Sequence, residues 1–392
     1  MTITYFTRYT THHVISWCKQ LYSLSNGKFR IVETEAFPSF RLEQGYEDWA
    51  KRYDWIINAV TDINGVKEAS RLAVESDVVI FGGGSYHYQN MRVENTNRLS
   101  FKMKERLYKD GFDKMTDPNV MMDMHNKHGK FVNANLYYLC AGTYTAYDVH
   151  YQGFEPHRLL KWGYFPPTTL HSDDLFVCKD KKEFKLLWVG NMEPNKQPLM
   201  ILPVLKSLRE KGYAATLTYI GSGELYDSIQ RMVCSLNLQN AVSFQANMPW
   251  YSVREVMKNY DINLCTSNYA EGWGAVISES MNEGCITVAS YASGASCYLI
   301  EHGKNGFLFE HDDPADLEEV LTHIFDKYAE MTSVRIEAYK TLTNQWTGKE
   351  AGERLYNTIV HLLAGNREPL YKSGICSQAP LLFDSKDYKT LK

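Results

Sequence analysis

The chain has no run of apolar residues near the ~20 that a membrane-spanning helix requires. Its first residues enter a strand-like Ile3-Thr4-Tyr5-Phe6 directly instead of a basic and apolar leader. Neither a signal peptide nor a spanning helix is therefore expected. There is also no Cys-x-x-Cys pair. Cys18, Cys140, Cys178, Cys234, Cys265, Cys285, Cys297 and Cys376 are scattered, several of them inside apolar strand-like runs. They read as reduced core residues of a cytoplasmic protein. Charge of neither sign dominates: a net charge of −4 gives no global basic field, so nucleic acid is not an expected partner. Asp-x-Asp, which would grip a divalent ion and a diphosphate, occurs nowhere, and no Gly-x-Ser-x-Gly elbow is present. His125-x-x-His128 with Asp123 can be drawn as a metal site. Three potential ligands in a polar segment are commonly only solvated, so no metal and no cofactor is expected. Internal repeats are absent as well.

What the chain does have is length and alternation. Its 392 residues suit two domains, each able to bury a core. Strand patterns at Ile3 to Phe6, Phe29 to Thr34, Trp55 to Val60 and Val78 to Phe81 alternate with helix patterns around Val14 to Leu24 and Val66 to Glu75. That alternation predicts a parallel sheet covered on both faces. Lys161-Trp162-Gly163-Tyr164-Phe165-Pro166-Pro167 makes a natural junction, because consecutive prolines forbid helix. The expected division is a first domain over 1–165, a linker over 166–182, a second domain over 183–365, and a tail over 366–392 that crosses back to the first domain.

The densest chemistry lies between Glu271 and Glu279, in Glu271-Gly-Trp-Gly-Ala-Val-Ile-Ser-Glu279, followed by Gly284 and the β-branched Ile286-Thr287-Val288. The order spells loop, helix, turn, strand. Gly272 and Gly274 let the backbone approach a bound group, and the helix they open presents unpaired amides and a partial positive charge to an anion. Glu279, one to two turns in, would repel a bare phosphate but accept hydrogen bonds from neutral hydroxyls. Glu271 is placed to do the same for a second polyol. A ligand with phosphates between two sets of hydroxyls is a nucleotide sugar. The plain alternative is a helix with two solvated glutamates.

This Glu-x(7)-Glu pattern resembles the donor-site signature of the family-4 retaining glycosyltransferases. The resemblance implies a GT-B fold, two Rossmann-like domains facing each other across a cleft. It assigns the transferred sugar to Glu271, the ribose to Glu279, and the diphosphate and sugar to the backbone of Gly272, Trp273, Gly274, Ala275 and Val276. Leu186-Leu187-Trp188-Val189-Gly190-Asn191-Met192-Glu193-Pro194-Asn195-Lys196 fits the same family: a strand ends at Gly190 and a turn carries Lys196 toward the diphosphate as a point charge. Such enzymes usually have an arginine where this chain has Asn191. Thr218-Tyr219-Ile220-Gly221-Ser222-Gly223, the strand Val242 to Phe244, Asp261 to Ser267, and Asn305 to Phe309 extend the resemblance over about 184–327.

The first half is less specific. Val78 to Phe81 empties into Gly82-Gly83-Gly84, so Gly83 and Gly84 are expected at a ligand cleft, the alternative being a tight turn. His87 follows as a candidate substrate contact or a surface histidine. His13, after the first strand, stands where family loops often face donor phosphates. Between Arg92 and Lys114, basic residues outnumber acidic ones and interleave with Leu99, Phe101, Met103 and Leu107. We read this as a basic amphipathic helix that either contacts an anionic membrane or is simply solvated. Phe101 to Lys109 also resembles a pattern in polysaccharide-building members, which makes Glu105, Arg106 and Lys109 candidate cleft residues.

The expected activity is transfer of a sugar, with retention, from a nucleoside-diphosphate sugar, in the first instance a UDP-sugar. The acceptor is expected to be a saccharide or lipid-linked oligosaccharide of surface polysaccharide synthesis. The resemblance places the enzyme in the cytoplasm, at the inner face of the membrane. A sugar-nucleotide epimerase of the same fold and a non-catalytic nucleotide-sugar-binding subunit are the rival readings.

Overall fold

The computed structural model describes residues 1–108 and 112–391. The chain forms two compact units, Met1–Pro167 with Trp346–Phe383, and Thr168–Gln345 with Asp384–Lys392.

Among the described residues of the first unit, seven strands form one sheet: β1 (Ile3–Thr7), β2 (Phe29–Glu33), β3 (Ile56–Asn58), β4 (Val78–Phe81), β5 (Ser100–Lys104), β6 (Leu136–Ala141) and β7 (Leu159–Trp162). Their order is β3-β2-β1-β4-β5-β6-β7. Every pairing is parallel, with Ile3 opposite Phe29 on one side and Val78 on the other. Strands buried on both faces read as unbroken apolar runs, as Val78-Val79-Ile80-Phe81 does. The second unit holds β8 (Glu183–Val189), β9 (Ala214–Ile220), β10 (Val242–Gln245), β11 (Ile262–Cys265), β12 (Ile286–Ser290) and β13 (Phe307–Phe309), in the order β10-β9-β8-β11-β12-β13. These are parallel too, with Leu186 between Leu217 and Ile262. Each sheet has a switch point where neighbouring strands leave in opposite directions, between β1 and β4 and between β8 and β11. Open parallel sheets hold ligands beyond the strand C-termini at such points.

Helix ends follow the sequence. Asp62 starts the helix Ile63–Glu75 by accepting from the Asn64 amide at 2.9 Å, and Thr347 caps Gly348–Leu363 through the Glu350 amide at 3.0 Å. The second of these helices departs from expectation, since it belongs to the first unit. Gly348 and Gly352, one turn apart, lie against the helix Ile15–Leu24 so closely that a Cβ on Gly348 would meet Ser16 Oγ at 1.9 Å and one on Gly352 would meet Gln20 Cβ at 2.5 Å. Gln20 Nε2 donates to Glu353 Oε1 at 3.0 Å across the same contact. The crossing out of the second unit thus falls at Trp346, and the chain returns to that unit at Asp384.

Two further expectations are corrected. Residues 168–182 are no free linker. The Thr169 amide donates to Asn282 Oδ1 at 2.8 Å, that of His171 to the Tyr339 hydroxyl at 3.0 Å, and that of Cys178 to Thr332 Oγ1 at 2.9 Å. The basic stretch over 92–114 is not one solvated helix either. The helix Tyr86–Asn95 takes in only its first four residues, and Ser100–Lys104 is the interior strand β5. Leu99, Phe101 and Met103 recur every second residue, the period of a strand. Arg92 is fully buried and donates to the carbonyls of Ala73, Val74, Ser76, Asp77 and Leu99. Lys102 is buried, donates to the Lys127 carbonyl at 3.0 Å and lies 4.4 Å from the centre of the Tyr86 ring. Arg92 and Lys102 thus terminate backbone segments within the first unit. No described helix is long and apolar enough to cross a membrane.

Candidate active site

At the switch point of the second sheet, the loops leaving β8 and β11 are bolted together. Trp188 Nε1 donates to Thr266 Oγ1 at 3.0 Å, and that hydroxyl donates to the Lys196 carbonyl at 2.7 Å. The Asn268 amide donates to the Asn195 carbonyl at 2.8 Å. The loop after β9 interlocks with the same turn: the Met192 amide donates to the Ser222 carbonyl at 2.8 Å, and a Cβ on Gly221 would lie 2.0 Å from the Gly190 carbonyl oxygen. Gly190 and Gly221 are therefore backbone contacts rather than side-chain sites.

So held, Lys196 Nζ hydrogen-bonds Glu271 Oε2, to which Ser267 Oγ also donates at 3.1 Å. The two residues stand 75 positions apart in the chain. Burial by itself would lower the Lys196 pKa, but the Glu271 charge and hydrogen bond outweigh it and the pKa is raised. The ammonium therefore persists at neutral pH. Asn191 is exposed and lends no charge, its Nδ2 lying 3.4 Å from Glu193 Oε1.

From Glu271 the chain turns through Gly272, Trp273 and Gly274 into the helix Ala275–Asn282. Gly274 has φ +86°, and a Cβ there would meet Ser293 Oγ at 2.7 Å. Trp273 is fully buried, so its contribution to a ligand falls to its backbone. No side-chain hydrogen bond caps the helix among the described residues, so the positive end of the helix dipole falls at the first turn, which includes Ala275 and Val276.

Glu279 is half-buried, and no hydrogen bond to its carboxylate is found among the described residues. Burial pushes its pKa up to about 7, opposed by Arg254 and helped by Glu283. A set of residues that the sequence pattern did not single out holds the far end of this helix. Arg254 Nε donates to Glu283 Oε1 at 2.7 Å, its Nη2 to Thr169 Oγ1 at 3.0 Å, and His171 Nε2 lies 2.8 Å from Glu283 Oε2. Glu283 follows Glu279 by four residues, so the shared face was legible, but its partners come from distant segments.

In the first unit the candidates separate. Gly83 and Gly84 are exposed at the end of β4, and His87 is exposed beside Tyr88. His13 and Glu105 meet through one residue: the His13 ring stacks on Tyr164 at 5.5 Å, and the Tyr164 hydroxyl donates to Glu105 Oε1 at 2.7 Å. Burial, then Arg41, lowers the His13 pKa to about 4 against the pull of Glu105, so the ring is neutral at pH 7. Arg106 is not a cleft residue. It is buried against Asp148 by bonds of 3.3 and 3.1 Å, and Asp148 also takes the Leu107 amide at 2.9 Å. Lys109 lies outside the described residues. Of the residues drawn as a metal site, His128 Nδ1 is 2.8 Å from the Tyr138 hydroxyl and Asp123 pairs with Lys127 at 2.6 Å. No group of three ligands for a metal is found among the described residues.

The two-sheet architecture is that of the GT-B fold. Anabaena HepE in complex with UDP superimposes with a TM-score of 0.69 at 13% identity, over 92% of this chain and 100% of that one. The apo form of the lipopolysaccharide outer core galactosyltransferase WaaB does so with 0.67 at 15% identity, over 93% and 100%. Residues 176–341, which carry Lys196, Glu271 and Glu279, match the family model described as "Glycosyl transferases group 1". The second unit thus bears a group 1 glycosyl transferase domain. Among curated relatives, D-inositol 3-phosphate glycosyltransferase of Thermomonospora curvata is 27% identical over 37% of this chain and 35% of its own length. A Campylobacter jejuni α-1,4-N-acetyl-D-galactosaminyltransferase, named for a diNAcBac-PP-undecaprenol-linked acceptor, is 29% identical over 38% and 41%. The chain therefore spans well under half the length of these two relatives.

Proposed function

We propose that the chain is a retaining glycosyltransferase that transfers a sugar from a UDP-sugar to a saccharide or lipid-linked saccharide acceptor in the synthesis of a bacterial surface glycan. The observation that carries this reading is the joining of Lys196, Glu271 and an uncapped helix start at a switch point, with Glu279, whose carboxylate has no hydrogen bond among the described residues, further along the same helix. In this reading Glu279 takes the ribose hydroxyls, the amides of Gly272 to Val276 face the diphosphate and sugar, and Glu271 holds the sugar. As the anomeric bond breaks, the departing diphosphate gains charge. Lys196 and the helix start then stabilise the transition state more than the ground state. Each helix-end contact contributes roughly 0.3–2 kcal/mol, so positioning of the acceptor and exclusion of water supply much of the remainder. The bound UDP of HepE and the undecaprenol-linked acceptor named for the Campylobacter relative support the donor and acceptor classes. A lipid-linked acceptor would bring the enzyme to the cytoplasmic face of the membrane.

Asn191 favours a second reading, a binding subunit without turnover, because a cation at that position would add to leaving-group stabilisation. Calorimetric titration with uridine, guanosine and adenosine diphosphate sugars in the absence of metal tests the site. Selective binding by wild type, weakened in Glu279→Ala and Lys196→Ala, is expected, and no binding across the panel would sink the proposal. Turnover by the purified chain, with the product anomer read by NMR, separates transferase from binding subunit.

A further inference from the structure

The last helix, Ser385–Thr390, is six residues long, too short to persist without tertiary contacts. Asp384 starts it by accepting from the Lys386 amide at 2.8 Å. Its contacts converge on three strand exits of the second sheet. The Ser385 amide donates to the Tyr269 hydroxyl at 3.0 Å, in the loop after β11 and two residues before Glu271. Ser385 Oγ hydrogen-bonds Glu310 Oε1, and Lys389 Nζ donates to Glu310 Oε2 at 2.7 Å, just past β13. The Lys389 ammonium also lies 4.8 Å from the centre of the Tyr291 ring, just past β12. His311 meets the Tyr269 ring edge-on at 4.6 Å. Tyr269 is thus held between the exit of β13 and the last helix.

The turn that Tyr269 belongs to ends on Glu271. The Ala270 amide donates to Asn268 Oδ1 at 2.9 Å and the Glu271 amide to the Asn268 carbonyl at 3.0 Å. A shift of the tyrosine therefore tilts the whole turn and the carboxylate at its end. We propose that Ser385–Thr390 is a strap that sets the position of Glu271, with Tyr269 and Lys389 as positioning residues, an inference that rests on Glu271 being a donor-sugar ligand. Loosening the strap weakens binding of the sugar in ground and transition states alike, so KM rises while kcat changes little.

The test compares the full chain with Tyr269→Phe, Lys389→Ala and Lys389→Arg. Hydrogen exchange of the amides over 268–272 in the unliganded protein is expected to rise about fivefold in the first two variants, the loss of roughly one hydrogen bond, and to return toward wild type in Lys389→Arg. Titration with UDP and with UDP-glucose is expected to show weaker binding of the sugar nucleotide, with UDP itself unaffected. Unchanged exchange in both variants overturns the strap. Faster exchange together with a wild type that binds neither probe overturns the donor-site reading instead.

Discussion

Each unit has a corner where a parallel strand runs through glycines into a helix with no side-chain cap, and the two corners differ in what surrounds them. In the first, Gly82-Gly83-Gly84 leads from β4 into Tyr86–Asn95; in the second, Gly272 and Gly274 lead from the β11 loop into Ala275–Asn282. Gly84 and Gly274 both adopt left-handed φ, +75° and +86°. Beside the first corner, Arg8 and Glu35 pair at 3.3 Å with side chains 60% and 47% exposed, whereas the Lys196 and Glu271 side chains beside the second are 25% and 11% exposed. An exposed pair is worth little, about 0–1 kcal/mol. In a shielded pair each charge depends on its partner, so a ligand that displaces one of them must offer a replacement. A shared backbone corner therefore does not make a shared site. Desolvation of the charges beside it marks the corner expected to do chemistry.

Substitutions that act on one corner and spare the other test the comparison. Lys196→Ala is expected to have the largest effect, a fall in kcat of about 10²–10³ as leaving-group stabilisation is lost, measured by steady-state kinetics. Arg8→Ala, at the other corner, should change melting temperature and kcat little. Next come the paired Gly84→Ala and Gly274→Ala. Each forces a left-handed alanine, at a cost of about 1–3 kcal/mol in denaturant melts. Only Gly274→Ala should also abolish UDP binding, because its Cβ meets Ser293 at the helix start. Equal loss of binding in both variants would make the first corner part of the site.

Glu279→Gln should show a smaller, pH-dependent effect. The Glu279 pKa is raised from an ordinary 4.5 to about 7, so between these values the folded protein keeps a proton that the unfolded chain releases. Stability contributed by this group is thus lost as pH rises through that window. The variant should melt higher than wild type at pH 8 and alike near pH 4, and UDP affinity of wild type should rise through pH 7 as the carboxylate forms. The smallest expected effect is that of chelator: on the proposed reading, in which Lys196 and the helix start hold the diphosphate, EDTA should leave transfer rates unchanged.

The strands and the Glu271-to-Glu279 segment were legible because their signals are local. Apolar runs of four to six residues bounded by glycine, and a glycine pair opening a helix, depend on neighbours a few positions away. The basic stretch misled because charge was weighed above the two-residue alternation of Leu99, Phe101 and Met103. Arg92 and Lys102 are buried because backbone carbonyls from other elements receive them, and no local pattern announces those carbonyls. Gly348 and Gly352 were a readable small-residue face, but the helix they would approach could not be named from the sequence.

By itself, then, the sequence determined two parallel α/β sheets and a glycine-opened helix flanked by two carboxylates, since backbone preference and periodicity act over one or two turns. Only the tertiary structure decided that Lys196 meets Glu271, that Glu279 is half-buried with no hydrogen bond to its carboxylate among the described residues, that Gly348–Leu363 belongs to the first unit, and that Ser385–Thr390 returns to Tyr269. Each of those depends on shape and charge matching between segments far apart in the chain, where many pairings satisfy the local pattern and only the packed fold selects one.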